Sequence, residues 1–254
     1  MMKGAFRIGS YRNIGVFIHW TFLLLLVWVA GNSFFEGSEW KDIGEELLFL
    51  LSVFFCVLLH EFGHALSAAR YGIPTKDITL LPIGGLARLE RLPEKPVQEL
   101  IVAVAGPLVN VAIILVLLLI MFLGKGMPMA FDFVDINSNS FLVNLLLVNI
   151  SLVIFNMIPA FPMDGGRVLR SLLSMKLSKS KATKIAARIG QLISVLFVLV
   201  GWFYNPMLIL IGIFIFMGAK AELKYVQQME HRAVMDVNYE FMETPKHTPL
   251  EKDL

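Results

Sequence analysis

The sequence predicts an all-α integral membrane protein with six transmembrane helices. Its 254 residues are 57% hydrophobic and 17% charged, and the mean hydropathy is +0.71, which is too apolar for an ordinary soluble domain. Six apolar runs approach the ~20 residues that a helix needs to cross a bilayer. These runs are residues 14–34, 46–70, 97–123, 140–158, 185–203 and 206–223.

The distribution of lysine and arginine predicts the orientation, because these residues collect in cytoplasmic loops. Three precede the first run, five follow the second and seven follow the fourth, whereas the connections after the first and third runs hold one each. Both termini are therefore expected in the cytoplasm, with residues 1–223 forming the membrane domain and 224–254 a polar cytoplasmic tail. The net charge of +2 is too small to indicate a nucleic-acid partner.

The second apolar run carries a cluster of ionisable residues. Residues 60–64 read His-Glu-Phe-Gly-His, and residues 47–59 contain no charge. On a helix, His60 and His64 lie one turn apart on one face, so both imidazoles can bind one metal ion, and Glu61 can serve as general base. The pattern alone also arises by chance, but ionisable residues at membrane depth are by default functional. From the span boundaries we expect this site nearer the cytoplasmic face.

The connection after the second run contains Gly84 and Gly85 between short apolar stretches, close to Pro82. Glycine and proline suit a helix interior poorly, so this composition predicts a short re-entrant or β-hairpin-like loop. The loop is either a plain connecting turn or a place where an extended substrate pairs by strand addition. Gly84 and Gly85 are therefore candidate substrate-binding residues.

The fourth helix is expected to break at Pro159 and Pro162, at the depth predicted for the histidines. Asp164 follows the break and is either the N-cap of the next helix or the third protein ligand of a zinc site. A two-histidine site without a third ligand favours the second role. Asn156 precedes the break, and its amide either joins two helices or donates a hydrogen bond to a developing oxyanion.

These segments together resemble the site-2 protease family of intramembrane zinc metalloproteases, in its six-span archaeal and bacterial branch. The resemblance rests on the histidine motif, the Ile-Gly-Gly loop, Gly-Pro-Leu-Val-Asn in the third run, and the segment 155–170. It implies one zinc ion, with the ligands His60, His64 and Asp164, the base Glu61, and Asn156 at the family's active-site asparagine.

The resemblance also implies a function: hydrolysis of peptide bonds within or next to transmembrane segments of membrane-protein substrates, as in regulated intramembrane proteolysis. The expected partners are the substrate and the lipid bilayer, and a homo-oligomeric state is left open. The tail resembles the opening of a cystathionine-β-synthase (CBS) type domain that is cut short. Two alternatives remain, a metal-ion transporter and a catalytically inactive metal-binding membrane protein, although the intact Glu61 argues against the latter.

Overall fold

The computed structural model describes residues 4–125 and 141–243. Its elements, in chain order, are β1 (Ala5–Tyr11), β2 (Ile14–His19), α1 (Trp20–Phe35), α2 (Trp40–Ala69), β3 (Thr75–Leu81), β4 (Gly84–Leu89), α3 (Pro96–Lys125), α4 (Phe141–Asn156), α5 (Asp164–Ser174), α6 (Lys179–Phe203) and α7 (Pro206–Glu243). They form two compact units, one containing β1 to α5 and the other α6 and α7.

The protein is mostly helical, and its helices have the composition of membrane spans. Four helices in the described residues, α2, α3, α6 and α7, are long and apolar enough to cross a bilayer, while α1 and α4 are apolar but have only 16 residues each. Apolar side chains such as Leu115 and Leu119 of α3 are exposed, as expected on a surface that lipid covers. These observations confirm a helical integral membrane protein. Residue 140, the predicted start of the fourth run, lies outside the described residues.

The prediction that the first apolar run is helical throughout was wrong at its start. Residues 14–19, predicted as membrane helix, form strand β2 and pair with β1 through a two-residue turn. The turn residues Arg12 and Asn13 have φ of 47° and 66°, the left-handed conformation that tight hairpins require and asparagine tolerates. Ile14 and Val16 are buried on alternate positions, a period of two that mean hydropathy does not register.

The connection after α2 is a β-hairpin, the second of the two forms predicted for it. Strands β3 and β4 are antiparallel, and β3 is parallel to β2, so the four strands form one sheet in the order β1-β2-β3-β4. Gly84 begins β4 with φ +133°, a conformation that only glycine adopts readily. The sheet packs on α2 through a buried cluster of Ile14, Ala65 and Ile78.

Helices α3 and α4 pack against the second half of α2. Gly63 allows a close approach to α3, because a Cβ at this position would lie 2.7 Å from the Ala105 carbonyl oxygen. Cys56, Leu117 and Leu145 form a buried cluster between the three helices, in line with a thiol that packs as a small hydrophobe.

Helices α6 and α7 form the second unit as an antiparallel hairpin. Their close contact depends on Gly212, since a Cβ there would lie 2.8 Å from the Ser194 carbonyl oxygen. Helix α7 continues beyond the predicted span to Glu243, into the predicted tail. The last eleven residues of that tail, 244–254, lie outside the described residues.

Candidate metal centre

The structure brings His60, His64 and Asp164 together at one buried point of the first unit. The Nε2 atoms of the two histidines and Oδ2 of Asp164 form a triangle in which each pair of atoms is 3.1 Å apart. The three residues are 5–7% exposed. Two of them come from consecutive turns of α2 and the third from the first residue of α5, a hundred residues further along the chain.

The hydrogen bond made by Nδ1 of each histidine determines which ring nitrogen carries the proton. Nδ1 of His60 donates to Oδ1 of Asn110 at 2.5 Å, and Nδ1 of His64 donates to the Val102 carbonyl at 2.7 Å. A neutral imidazole carries one proton, so both Nε2 atoms point lone pairs into the triangle. Such hydrogen bonds from the outer nitrogen are the usual means of orienting metal-binding histidines.

The donor set fits a zinc ion in both chemistry and spacing. Two imidazole lone pairs and a carboxylate oxygen, buried and facing one another, repel unless a cation lies between them. Zinc binds histidine nitrogen and carboxylate oxygen at about 2.0–2.2 Å, and tetrahedral geometry then separates the ligand atoms by about 3.3–3.6 Å. The observed 3.1 Å is a few tenths of an ångström shorter than that separation. Three protein ligands also leave a fourth position, as in catalytic zinc sites.

Helix α3 cradles the histidine pair with three residues spaced one turn apart. Val102 and Asn110 accept the two Nδ1 hydrogens, and Gly106 lies between them. A Cβ on Gly106 would lie 2.2 Å from Nε2 of His64 and 2.7 Å from Nε2 of His60. The absence of a side chain at this position therefore leaves the space in which the ligand atoms converge.

Asp164 is not the helix cap that sequence reasoning kept as an alternative. The N-cap of α5 is Met163, and Asp164 begins the helix with its carboxylate turned towards the histidines. An acidic residue in the first turn also interacts favourably with the helix dipole. Asp164 thus occupies the place predicted for the third ligand.

A buried ion pair fixes α5 against the first turn of α3. Nε of Arg170 donates to Oε1 of Glu99 at 2.7 Å, and both side chains are buried. Arg170, one of the seven basic residues counted after the fourth run, is thus buried in an ion pair. Because Arg170 lies six residues after Asp164, this ion pair helps to hold the helix that carries the third ligand.

Glu61 projects from α2 towards the hairpin and is held there by β4. Its Oε2 accepts a hydrogen bond from the Ala87 backbone N–H at 3.1 Å. Gly85 lies against the same side chain, since a Cβ at this position would come within 2.5 Å of Cγ of Glu61. The structure therefore places Gly85 beside the predicted base, and Gly84 precedes it at the start of the strand.

Asn156, the remaining predicted residue, is the last residue of α4 and is half-buried. One of its two amide hydrogens is donated to the Leu152 carbonyl at 2.9 Å, within its own helix. Asn156 precedes Asp164 by eight residues, and its hydrogen bond in the described part of the chain goes to its own helix and not to Asp164.

Sequence reasoning missed four groups that shape the site. Asn110 and Gly106 belong to the Gly-Pro-Leu-Val-Asn segment of the third run, for which no role beside the histidines was predicted. The spacing of residues 102, 106 and 110 at single helical turns is the signal that relates them to the histidine pair. The Val102 carbonyl and the Ala87 N–H are backbone groups, which any residue type supplies.

The fold and this site define an integral membrane protein with a buried group of two histidines and an aspartate that could hold a metal ion, next to the carboxylate of Glu61. A sequence profile described as peptidase family M50 matches residues 48–135 and 129–197, more than half of the chain. The chain belongs to peptidase family M50.

Individual relatives agree with this assignment. A zinc metalloprotease of Methanocaldococcus jannaschii is 40% identical over 229 residues, 89% of this chain and 62% of the relative. A Synechocystis relative is 34% identical over 200 residues, 75% of this chain and 50% of the relative. The chain thus spans between half and two thirds of these curated relatives. The solved structure of a site-2 protease from M. jannaschii superimposes with a TM-score of 0.62 at 38% identity, covering 86% of this chain and 95% of that one.

Proposed function

We propose that this protein is an intramembrane zinc metalloprotease that hydrolyses peptide bonds within or next to transmembrane segments of membrane proteins. The single observation that carries the proposal is the 3.1 Å triangle of ligand atoms with Glu61 one residue from the first histidine. Membership of a peptidase family and the names of the relatives support the same reading. They give no support to a transporter or to an inactive metal-binding protein.

His60, His64 and Asp164 would hold the ion, which when bound supplies a Lewis acid with one coordination position left open. The chain's own contribution to the chemistry is Glu61. Its Oε2 is occupied by the Ala87 N–H, which leaves Oε1 to take a proton from the attacking water and pass it to the leaving amine. Asn156 has a second amide hydrogen beyond the one donated to Leu152, and we assign it to the developing oxyanion.

Strand β4 is proposed as the binding place of the substrate. It lies at one end of the sheet order, and the Ala87 N–H that points away from β3 is the group that contacts Glu61. The free edge of β4 therefore faces the base. A substrate helix must unwind before its carbonyls become accessible, and an extended segment that adds to this edge brings its peptide bonds next to Glu61. Gly84 and Gly85 begin this strand, and the Glu61 side chain can approach the backbone of Gly85 because no Cβ is present there.

The topology is proposed to comprise six crossings with both termini in the cytoplasm. Helices α1 and α4 would complete the four longer spans, and the excess of lysine and arginine after the second and fourth runs supports this orientation. The metal centre would then lie nearer the cytoplasmic face. We interpret residues 224–254 as a polar cytoplasmic tail whose sequence resembles the start of a CBS-type domain.

Zinc content and cleavage, measured on the same purified protein, test the function. The wild type is expected to bind one zinc ion per chain and to cleave a single-span membrane protein in detergent. Glu61→Gln should keep the zinc and slow cleavage by about 10²–10⁴-fold, the usual contribution of a general base. Glu45→Gln is the matched control, because Glu45 lies on the same helix with a side chain 66% exposed. A wild type without zinc, or full cleavage by Glu61→Gln, would refute the proposal.

A further inference from the structure

A chain of buried amides continues from the metal centre into α4. Beyond the His60 contact, Nδ2 of Asn110 donates to Oδ1 of Asn149 at 2.9 Å, and Nδ2 of Asn149 donates to the Leu145 carbonyl at 2.8 Å and to Sγ of Cys56 at 3.5 Å. Both asparagines are completely buried. Buried amides in an apolar bundle are costly unless they are hydrogen-bonded, and here each has a partner at both ends.

The Leu145 carbonyl at the far end of this chain of hydrogen bonds fixes the direction of donation along the whole chain. A backbone carbonyl only accepts, so Asn149 must turn its NH₂ group towards Leu145 and its oxygen towards Asn110. Asn110 must then turn its own NH₂ group towards Asn149 and its oxygen towards His60. A flipped Asn110 would present N–H groups to Nδ1 of His60, which would have to accept, and the ring proton would move to Nε2. A protonated Nε2 cannot bind a metal.

We propose that Asn149 is a positioning residue for the metal centre. By fixing the orientation of Asn110, it keeps His60 in the tautomer whose Nε2 lone pair faces Asp164. Asn149 does not contact the ligand atoms and acts on them through Asn110. The inference rests on the proposed function only in that zinc is taken as the bound ion.

Asn149 could instead serve only to pack α4 against α2. That role predicts a different result when residue 110 is substituted. An aspartate at position 110 has oxygen at both ends, so either orientation accepts the Nδ1 hydrogen of His60. Asn110→Asp therefore removes the need for an orienting partner, although an oxygen then faces the Asn149 oxygen in place of an N–H group. If orientation is the function of Asn149, its loss should matter only while residue 110 is asparagine.

Zinc dissociation constants in detergent test this coupling. Asn149→Leu is expected to weaken zinc binding by about 10–100-fold, the usual effect of losing a group that orients a metal ligand. In the Asn110→Asp background the same substitution should weaken zinc binding by less than about twofold, the scatter of independent sites. Asn144→Leu is the matched control on the exposed side of α4. An equal loss in both backgrounds, or no loss with Asn149→Leu alone, would overturn the proposal.

A second variant and a spectroscopic measurement cover the case in which Asn149→Leu fails to fold. In Asn149→Asp the buried carboxyl is expected to be neutral, with an oxygen towards Asn110 and an O–H group that donates to the Leu145 carbonyl. This variant should bind zinc nearly as well as the wild type, whereas a tenfold loss would overturn the proposal. Nitrogen-15 spectra of the metal-free protein should show His60 protonated at Nδ1 in the wild type and increasingly at Nε2 in Asn149→Leu. This measurement remains decisive even if the wild type binds no zinc, a result that would refute the proposed function alone.

Discussion

Gly106→Ala is expected to abolish high-affinity zinc binding although it adds only one methyl group. The new Cβ would lie 2.2 Å from Nε2 of His64 and 2.7 Å from Nε2 of His60. A carbon and a nitrogen in contact need about 3.5 Å, so the two rings would have to retreat by about 1.3 and 0.8 Å. Zinc ligands keep their distances to within about 0.2 Å. The displaced rings can no longer form the triangle with Asp164.

We expect the zinc dissociation constant of Gly106→Ala to rise at least ~100-fold, equivalent to about 2.7 kcal/mol. Competition with a fluorescent chelator measures the constant, and cleavage of a single-span substrate should be lost in parallel. Gly31→Ala is the matched control, because Gly31 also lies within a helix but has no other side chain or neighbouring element within 4 Å. That control should bind zinc normally and gain slightly in stability. Normal zinc affinity in Gly106→Ala would show that the ligand atoms do not converge beside this glycine.

Two further substitutions test the role of Glu61 apart from metal binding and the role of the ion pair between Arg170 and Glu99. Gly85→Ala would place a Cβ 2.5 Å from Cγ of Glu61, so we expect cleavage to slow by about 100-fold while zinc is retained. Gly9→Ala, in strand β1 with nothing near its Cβ position, is the control and should change neither cleavage nor zinc content. A loss of zinc in Gly85→Ala would contradict this prediction. Arg170→Met would leave Glu99 buried without its partner and lower the free energy of unfolding by about 3–5 kcal/mol. Adding Glu99→Gln should recover most of that loss in thermal unfolding, and an equally unstable double variant would refute the role of the ion pair.

The three candidate metal ligands could be found from the sequence because metal chemistry restricts residue types. Few side chains bind zinc, and two histidines one helical turn apart within an apolar run, followed by an aspartate after a proline break, satisfy that restriction in a recognisable order. The six apolar runs were equally readable, since each contains a helix in the structure. Strands β1 and β2 were not, because a short apolar run bordering a membrane helix has the same mean hydropathy in either conformation.

The parts of the site that could not be predicted are those where residue type carries little information. The Val102 carbonyl orients His64 and the Ala87 N–H orients Glu61, yet both are backbone groups that exist at nearly every position. Their role arises only from the register between α2 and its neighbours, which depends on tertiary packing. Asn110 and Gly106 lie between these extremes: their residue types matter, but only once α3 is known to run along the histidine face of α2. The substitutions at Gly106 and Asn149 therefore test the packing of the helices as directly as they test the chemistry of the site.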